Sequence, residues 1–231
     1  MGRLNNTVVE KNKIKTSPIT NKQIRRQRQK YLRIGVIVLG LVLVLGYFLW
    51  PRPQAAAVSA DRLQDDPSIG AADAPVTIVE YGDFGCPTCR AWHNAGIMDQ
   101  VRTVYGDQVR FVWRDFPVIT ARSPKAAEAA QCAYDQGKFW EYHDYLYERA
   151  SSLETSDLKR FASDLGLDSD KFNRCLDSGR HQATVDYDLQ DALSRRFRGT
   201  PSFLVNDQPL AGPPDFQYLQ SLIDPVLQDQ N

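Results

Sequence analysis

The sequence has few of the residues on which most metal, haem and hydrolytic sites depend, with three His and four Cys among 231 residues. It has no glycine-rich phosphate-binding loop and no Ser-His-Asp pattern, so phosphoryl transfer from nucleotides and serine hydrolase chemistry are not indicated. No nucleic-acid-binding motif, internal repeat or long low-complexity tract is present, and we predict no nucleic-acid partner. What remains is the chemistry of the four cysteines.

Two of these cysteines, Cys86 and Cys89, form a Cys-x-x-Cys pair. With His93 they give half of a zinc pattern, but the other two cysteines stand alone and no second pair with metal spacing follows. Covalent haem attachment needs a histidine directly after the second cysteine, and Arg90 stands there. We therefore predict no metal and no cofactor, and we interpret the pair as a redox centre.

Charge is unevenly distributed along the chain. Residues 1–33 hold ten Lys or Arg and one acidic residue, which leaves 18 basic and 27 acidic residues for the rest. Residues 34–50 are an uncharged, mostly apolar run, just long enough to cross a bilayer core of about 30 Å as a helix. Because positively charged flanks stay in the cytoplasm, we predict a cytoplasmic tail at 1–33, a single transmembrane helix at 34–50, and the remainder outside the cell membrane.

Residues 51–68, in which Pro, Gln and Ala are prominent, are predicted to link this helix to a domain at 69–231. A second interpretation of the N-terminal segment stays open. Val58-Ser59-Ala60 has the small-residue spacing of a signal-peptide cleavage site, in which case the segment is removed after Ala60. The domain is predicted to be extracytoplasmic under both interpretations.

The local sequence around the cysteine pair predicts a reactive thiol. The apolar, β-branched run at 76–79 indicates a strand, a Gly-containing turn follows it, and a first helix is expected over about 90–105. Cys86 is thus predicted at a helix N-terminus, where unpaired N–H groups and the helix dipole stabilise a thiolate over a thiol. The spacing lets the sulfurs bridge one helical turn, with Cys86 exposed and Cys89 beneath it.

Most of the remaining domain is predicted to be helical. A half-buried strand is expected at 109–113, and helical sequence then continues almost without interruption over 123–196. Glycines at three positions inside this stretch mark expected helix ends. Gly199-Thr200-Pro201 precedes a further strand at 202–205, and a last helix is expected over about 215–227. The three glycines are Gly137, Gly166 and Gly179.

The chain resembles the thioredoxin-fold thiol:disulfide oxidoreductases, specifically the DsbA-like branch found outside the cytoplasmic membrane of bacteria. The resemblance lies in the order of its features, which is a strand, Cys-Pro-x-Cys, a long helical stretch, Gly-Thr-Pro and a second strand. The resemblance spans about Pro75 to Leu222. It implies an α/β thioredoxin fold with an α-helical subdomain inserted at about 123–196. The residues that carry it are Val76 to Cys89, Ala126 to Tyr147 and Phe197 to Val205.

The same resemblance implies roles for three residues away from the cysteine pair. The peptide bond before Pro201 is expected to be cis, and Pro201 is expected to lie against the active-site disulfide. The backbone of Thr200 is expected to pair with a bound peptide. The alternative is a trans proline that merely begins a strand. Glu80, inside a strand, is expected to relay protons beneath Cys89. The alternative is a carboxylate at the sheet edge or paired with a lysine.

Cys132 and Cys175 fall on two different predicted helices. In an exported protein such a pair is expected to be a structural disulfide, and the alternative is two buried reduced cysteines. We expect no catalysis from them. His143 and His181 are interpreted as solvated helix residues.

The function indicated is that of an extracytoplasmic dithiol oxidase, which introduces disulfides into exported cysteine-containing proteins. Thr88 stands where the most oxidising DsbA-like members have histidine, so we expect a somewhat weaker oxidant. Reoxidation is expected from a membrane partner of the DsbB or vitamin K epoxide reductase-like type. Two alternatives stay open, a disulfide reductase or isomerase on the same fold and a non-catalytic, chaperone-like binding module.

Overall fold

A mixed sheet with five strands among the described residues is the framework of the domain. The computed structural model describes Gly40 and residues 66–149 and 152–229. The predicted basic tail, the predicted transmembrane helix apart from Gly40, and most of the predicted linker lie outside these residues. Among the residues described, no helix has the length and apolar character needed to span a bilayer. The strands are β1 (Ser68–Ile69), β2 (Val76–Gly82), β3 (Val109–Asp115), β4 (Ser202–Val205) and β5 (Gln208–Pro209).

The strand order is β1-β3-β2-β4-β5, which places β2 at the centre. β2 runs parallel to β3 and antiparallel to β4, and the outer strands β1 and β5 pair antiparallel with their neighbours. Glu80 pairs in register with Trp113 on β3 and with Phe203 on β4. The near-continuous apolar sequence of β2 fits this central position, where both faces are covered.

Eight α-helices lie within residues 66–149 and 152–229. Two lie between β2 and β3, five between β3 and β4, and one at the C-terminal end. The middle five run from Ser123 to Ser194, within the stretch predicted to be a helical insertion. The helices are α1 (Pro87–Asn94), α2 (Ile97–Tyr105), α3 (Ser123–Tyr134), α4 (Phe139–Glu148), α5 (Thr155–Asp164), α6 (Ser169–Ser178), α7 (Gln182–Ser194) and α8 (Phe216–Gln228).

The first helical stretch differs from the prediction of one helix over about 90–105. It begins earlier because Pro87 takes the first helical position, where its missing N–H costs nothing. It is also divided into α1 and α2 at Gly96, whose φ of +64° is a left-handed conformation that glycine adopts readily.

The two faces of the sheet pack against different helices. Ile78 and Phe203 lie in one buried cluster with residues of α1, α2 and α8. Val79 and Tyr81 lie in another, with Ala192 of α7. Since side chains alternate along a strand, Glu80 shares the face of Ile78. The strand therefore directs this carboxylate towards the side on which α1 lies.

Candidate active site

Cys86 is the N-cap residue of α1. Its backbone is extended (φ −87°, ψ 118°), and its N–H donates to the Asp83 carbonyl at 2.9 Å. The Asp83 side chain is buried and accepts from the Gly85 N–H and from the Ile119 N–H, both at 2.7 Å. This carboxylate therefore ties the loop before Cys86 to the loop after β3. Sequence reasoning missed Asp83, because nothing in the local pattern shows that residue 119 lies beside residue 85.

The Cys86 sulfur is surrounded by hydrogen-bonding groups. It accepts from the Cys89 N–H at 3.4 Å, and as a thiol it donates to the Thr200 carbonyl at 3.2 Å. A hydrogen bond from the Cys89 thiol is the largest influence on it, and with the backbone groups of Cys89 and Thr88 it lowers the pKa of Cys86 to about 5, against the opposing effect of burial. Cys86 is thus a thiolate at neutral pH.

Cys89 has the opposite character. Its side chain is fully buried. Burial, the hydrogen bond to Cys86 and the charge of Glu80 raise the pKa of Cys89 far above that of an ordinary thiol. One member of the pair is therefore ionised and the other protonated, a division of roles suited to thiol-disulfide exchange.

The expectation of an exposed Cys86 is wrong for this conformation, since the residue is only 3% exposed. The cause is the loop before β4, which brings the Thr200 carbonyl against the sulfur. The Thr200–Pro201 peptide in this loop is cis, and Pro201 is buried. Both residues named from the sequence thus lie at the cysteine pair, and Thr200 contacts it directly.

Glu80 is a buried carboxylate beneath the pair. Burial, followed by the nearby Cys86 thiolate, raises the pKa of Glu80 to about 8. Its place on the central strand rules out the sheet-edge alternative. Among the described residues, neither a lysine nor another cation contributes to the shift. A carboxyl group that titrates near neutral pH is able both to give and to take a proton there.

A cavity of about 390 Å³ lies against Glu80. His93 of α1, and His143 and Asp144 of α4, contribute to its wall. This arrangement of polar groups around a space of that size suits water molecules, which need several polar partners. The cavity therefore leaves Glu80 beside a space large enough and polar enough to hold water.

His143 corrects the prediction of a solvated helix residue, because it is 3% exposed. Its ring packs edge-on against Trp113 at 4.9 Å and Tyr147 at 4.8 Å between centroids. Nδ1 is hydrogen-bonded to the Asp144 carboxylate at 2.8 Å, and burial lowers the pKa of His143. His181 is half-buried and bonds to Asp135 at 2.9 Å. The face of α4 that carries His143 is therefore part of the interface with the active-site core.

Cys132 on α3 and Cys175 on α6 form a disulfide with 5.9 Å between their Cα atoms. These sulfurs and His181 lie close together, but bonded sulfurs do not ligate metals. His93, His143 and Asp144 form a second cluster of groups that bind metals in other proteins. In it the His143 Nδ1 is already paired with Asp144, so we assign no metal to either cluster.

Comparison with known proteins bears on the same residues. Residues 62–225 match the family described as Thioredoxin. The chain belongs to the thioredoxin family. One similar solved structure is a thioredoxin-like oxidoreductase from Silicibacter pomeroyi, with 28% sequence identity and a TM-score of 0.66, and the match covers 75% of this chain and 99% of that chain. Another is alpha-DsbA1 from Wolbachia pipientis, with 20% sequence identity and a TM-score of 0.64, and the match covers 80% of this chain and 96% of that chain. The resemblance to DsbA-like proteins is confirmed.

Curated relatives add a different context. The chain is 36% identical over 210 residues to the Na(+)/H(+) antiporter NhaA 1 of Mycobacterium sp. (strain KMS), with 81% of this chain covered. It spans about a third of the length of that relative. This thioredoxin-family chain thus resembles part of a longer protein as well as solved DsbA-like structures.

The low pKa of Cys86 predicts a distinctive pH profile. Alkylation of reduced protein by iodoacetamide should reach half its maximal rate at about pH 5 instead of 9. Because the folded pKa is lowered, the stabilisation of the reduced form is fully present above the ordinary thiol pKa and is lost as the pH falls through 5. Mass spectrometry of quenched samples measures the rate, and a midpoint close to 9 would contradict the assignment.

Proposed function

We propose that this chain is an extracytoplasmic dithiol oxidase that transfers the Cys86–Cys89 disulfide to exported proteins. The observation that carries the proposal is the Cys86 sulfur at the N-cap of α1, which accepts hydrogen bonds from the N–H and the thiol of Cys89. These contacts favour the thiolate, so they stabilise the reduced pair and make its disulfide a strong oxidant. The DsbA-like fold supports the same reaction class.

The reaction begins with a substrate thiolate that attacks the Cys86 sulfur of the disulfide. A bond forms between the substrate sulfur and Cys86, the Cys86–Cys89 bond breaks, and the electron pair leaves on the Cys89 sulfur. A second substrate thiolate then attacks the substrate sulfur of this mixed disulfide. The substrate becomes a disulfide, Cys86 departs as a thiolate, and the protein has gained two electrons.

Thr200 and Pro201 position the substrate in this proposal. The backbone of Thr200 lies beside the Cys86 sulfur, with its carbonyl oxygen 3.2 Å from that sulfur. An extended peptide that displaces this contact pairs with the same backbone as an added strand. Such main-chain recognition suits a protein that acts on many different exported substrates.

Glu80 is the proton carrier in the proposed mechanism. A carboxyl group with a pKa of about 8 gives its proton to Cys89 as that sulfur leaves, and takes it back on reoxidation. Glu80→Gln keeps the shape of the side chain but cannot titrate. We expect reoxidation of the dithiol by cystamine to slow about a hundredfold at pH 7, the lower end of what a positioned base contributes. An unchanged rate in stopped-flow thiol trapping would remove Glu80 from the mechanism.

The proposed location and partners rest on the sequence. The run at 34–50 is proposed as an anchor with the basic tail in the cytoplasm, which keeps the redox domain close to the membrane. A membrane reoxidant of the DsbB or vitamin K epoxide reductase-like type would then meet Cys86 without long diffusion. Exported proteins with reduced cysteines are the proposed substrates.

The function is tested with the oxidised full chain in detergent and reduced, unfolded ribonuclease A. The proposal expects loss of two substrate thiols for each Cys86–Cys89 pair that becomes reduced. Faster recovery from scrambled ribonuclease with no net oxidation would indicate an isomerase. Suppressed aggregation with no change in thiols would indicate the chaperone-like alternative, and both results would overturn the oxidase proposal.

A further inference from the structure

The hydroxyl group of Tyr147 is a buried polar group without a partner. Tyr147 lies near the end of α4 and is 1% exposed. Within residues 66–149 and 152–229, its oxygen finds no hydrogen-bond partner. Burial of an unpaired hydroxyl costs free energy, and a phenylalanine at the same place would avoid that cost. Such a group calls for an explanation beyond packing.

The surroundings of the Tyr147 ring place it at the cysteine pair. The ring stacks on His93, with 5.1 Å between centroids and 29° between planes, and it contacts Phe84 at 5.5 Å. His93 follows Cys89 by four residues on α1, so the two share one face of that helix. Phe84 precedes Cys86 by two residues. Tyr147 therefore packs between the loop that enters the site and the helix face that carries Cys89.

Tyr147, Cys86 and Cys89 belong to one buried cluster. Burial raises the pKa of Tyr147 well above that of an ordinary tyrosine, and the negative charges of Cys89 and Glu80 raise it further. The hydroxyl thus keeps its proton and stays a hydrogen-bond donor while these neighbours change charge. The hydroxyl is thus a hydrogen-bond donor beside groups whose charge changes during the reaction.

We propose that the Tyr147 hydroxyl donates a hydrogen bond to the Cys89 sulfur when the Cys86–Cys89 disulfide opens. In the dithiol form Cys89 carries its own proton, which points to Cys86, and needs no donor. When a thiolate attacks Cys86, the breaking S–S bond leaves its electron pair on Cys89. A thiolate then stands in a buried site, where a donor stabilises it until the proton of Glu80 arrives.

This inference rests on the proposed exchange at Cys86 and Cys89 but not on its direction. Every thiol that opens the disulfide creates the same Cys89 thiolate, in an oxidase, a reductase or an isomerase. The test therefore measures only the rate at which a small thiol opens the Cys86–Cys89 disulfide. Its outcome is independent of which proteins serve as substrates.

The same helix offers a matched control. Tyr142 is also fully buried, but its hydroxyl donates to the Leu158 carbonyl at 2.8 Å. Tyr142→Phe therefore removes a hydrogen bond that holds α4 to α5. Tyr147→Phe removes an oxygen without a partner in the described structure. The two substitutions delete the same atom from two sites of equal burial.

The test is the rate at which dithiothreitol opens the disulfide of the full chain, followed by stopped-flow fluorescence. We expect Tyr147→Phe to react about tenfold more slowly than wild type, the effect of one hydrogen bond to a charged group. The midpoint of denaturant unfolding of its dithiol form should be unchanged or higher. Tyr142→Phe should show a lower midpoint and the wild-type rate, and neither variant should shift the alkylation midpoint of Cys86.

A wild-type rate in Tyr147→Phe would overturn the inference. A slower rate together with a midpoint as low as that of Tyr142→Phe would also overturn it, because it would indicate a structural role. A wild-type chain that fails to oxidise ribonuclease but shows the Tyr147 effect with dithiothreitol would refute the proposed function alone. The two proposals therefore fail separately.

Discussion

Cys86→Ser is expected to abolish thiol-disulfide exchange, with oxidation of reduced ribonuclease slowed by more than about a thousandfold, as for loss of other catalytic nucleophiles. The serine hydroxyl cannot form the mixed disulfide, and Cys89 cannot replace Cys86 because it is fully buried and its pKa is raised. The rate is followed by trapping the substrate thiols with a maleimide and separating the products by mass. The fold should be retained, since serine suits the N-cap position.

Cys89→Ser is the matched control for this result. It leaves the Cys86 thiolate able to attack a disulfide of scrambled ribonuclease, which forms a mixed disulfide and releases the other ribonuclease sulfur as a thiolate. It removes the Cys89 thiol that would release this adduct. We expect stable adducts with scrambled ribonuclease, visible on non-reducing gels, where Cys86→Ser gives none. If Cys86→Ser kept its activity, the pair would have no catalytic role and the binding-module alternative would take its place.

Removal of the Cys132–Cys175 disulfide is expected to have the largest effect on stability. The bond joins α3 and α6 across 43 residues of sequence. In the chain-entropy treatment, closure of a loop of this length stabilises the folded state by about 4 kcal/mol. The double substitution Cys132→Ala/Cys175→Ala should therefore lower the free energy of unfolding by about that amount, as measured by urea denaturation of the oxidised chain.

The reactivity of Cys86 and Cys89 is the control in this experiment. Under conditions where the double variant stays folded, its rate of reaction with dithiothreitol and the alkylation midpoint of Cys86 should equal those of wild type. A free energy of unfolding within about 1 kcal/mol of wild type would contradict the structural role. A changed reaction rate would instead show that the second disulfide influences the active site.

Much of the site could be predicted because its chemistry is concentrated in short segments. Cys86 at a helix N-terminus follows from the β-branched run and turn before it. The positive φ values of Gly137, Gly166 and Gly179 agree with the expected helix ends. For Pro201, the pattern of residues and the resemblance together indicated its place beside the cysteines.

The residues that were missed act through contacts between distant segments. Asp83 joins two loops that are 36 residues apart, and no local pattern encodes that pairing. His143 and Tyr147 are on a helix whose sequence is aromatic on several sides, so the face that meets α1 was not evident. His143 is a polar residue among these aromatics, and it is the one signal in the sequence of a buried polar contact on this helix.

A helix boundary that depends on a single residue also could not be predicted from the sequence pattern. Gly96 divides the first helix at a point where the apolar spacing continues on both sides. The burial of Cys86 is set by the loop at Thr200, more than a hundred residues away. Such features follow from tertiary packing, which overrides local preference.

The reduction potential of the Cys86–Cys89 pair tests the central claim most directly. The full chain is equilibrated with a series of glutathione redox buffers, and its thiols are trapped and counted, with Cys86→Ser as the blank. A stabilised Cys86 thiolate predicts a potential near or above about −150 mV, closer to DsbA than to thioredoxin. A value near about −270 mV would contradict the oxidase proposal and indicate a reductase that draws electrons through the membrane.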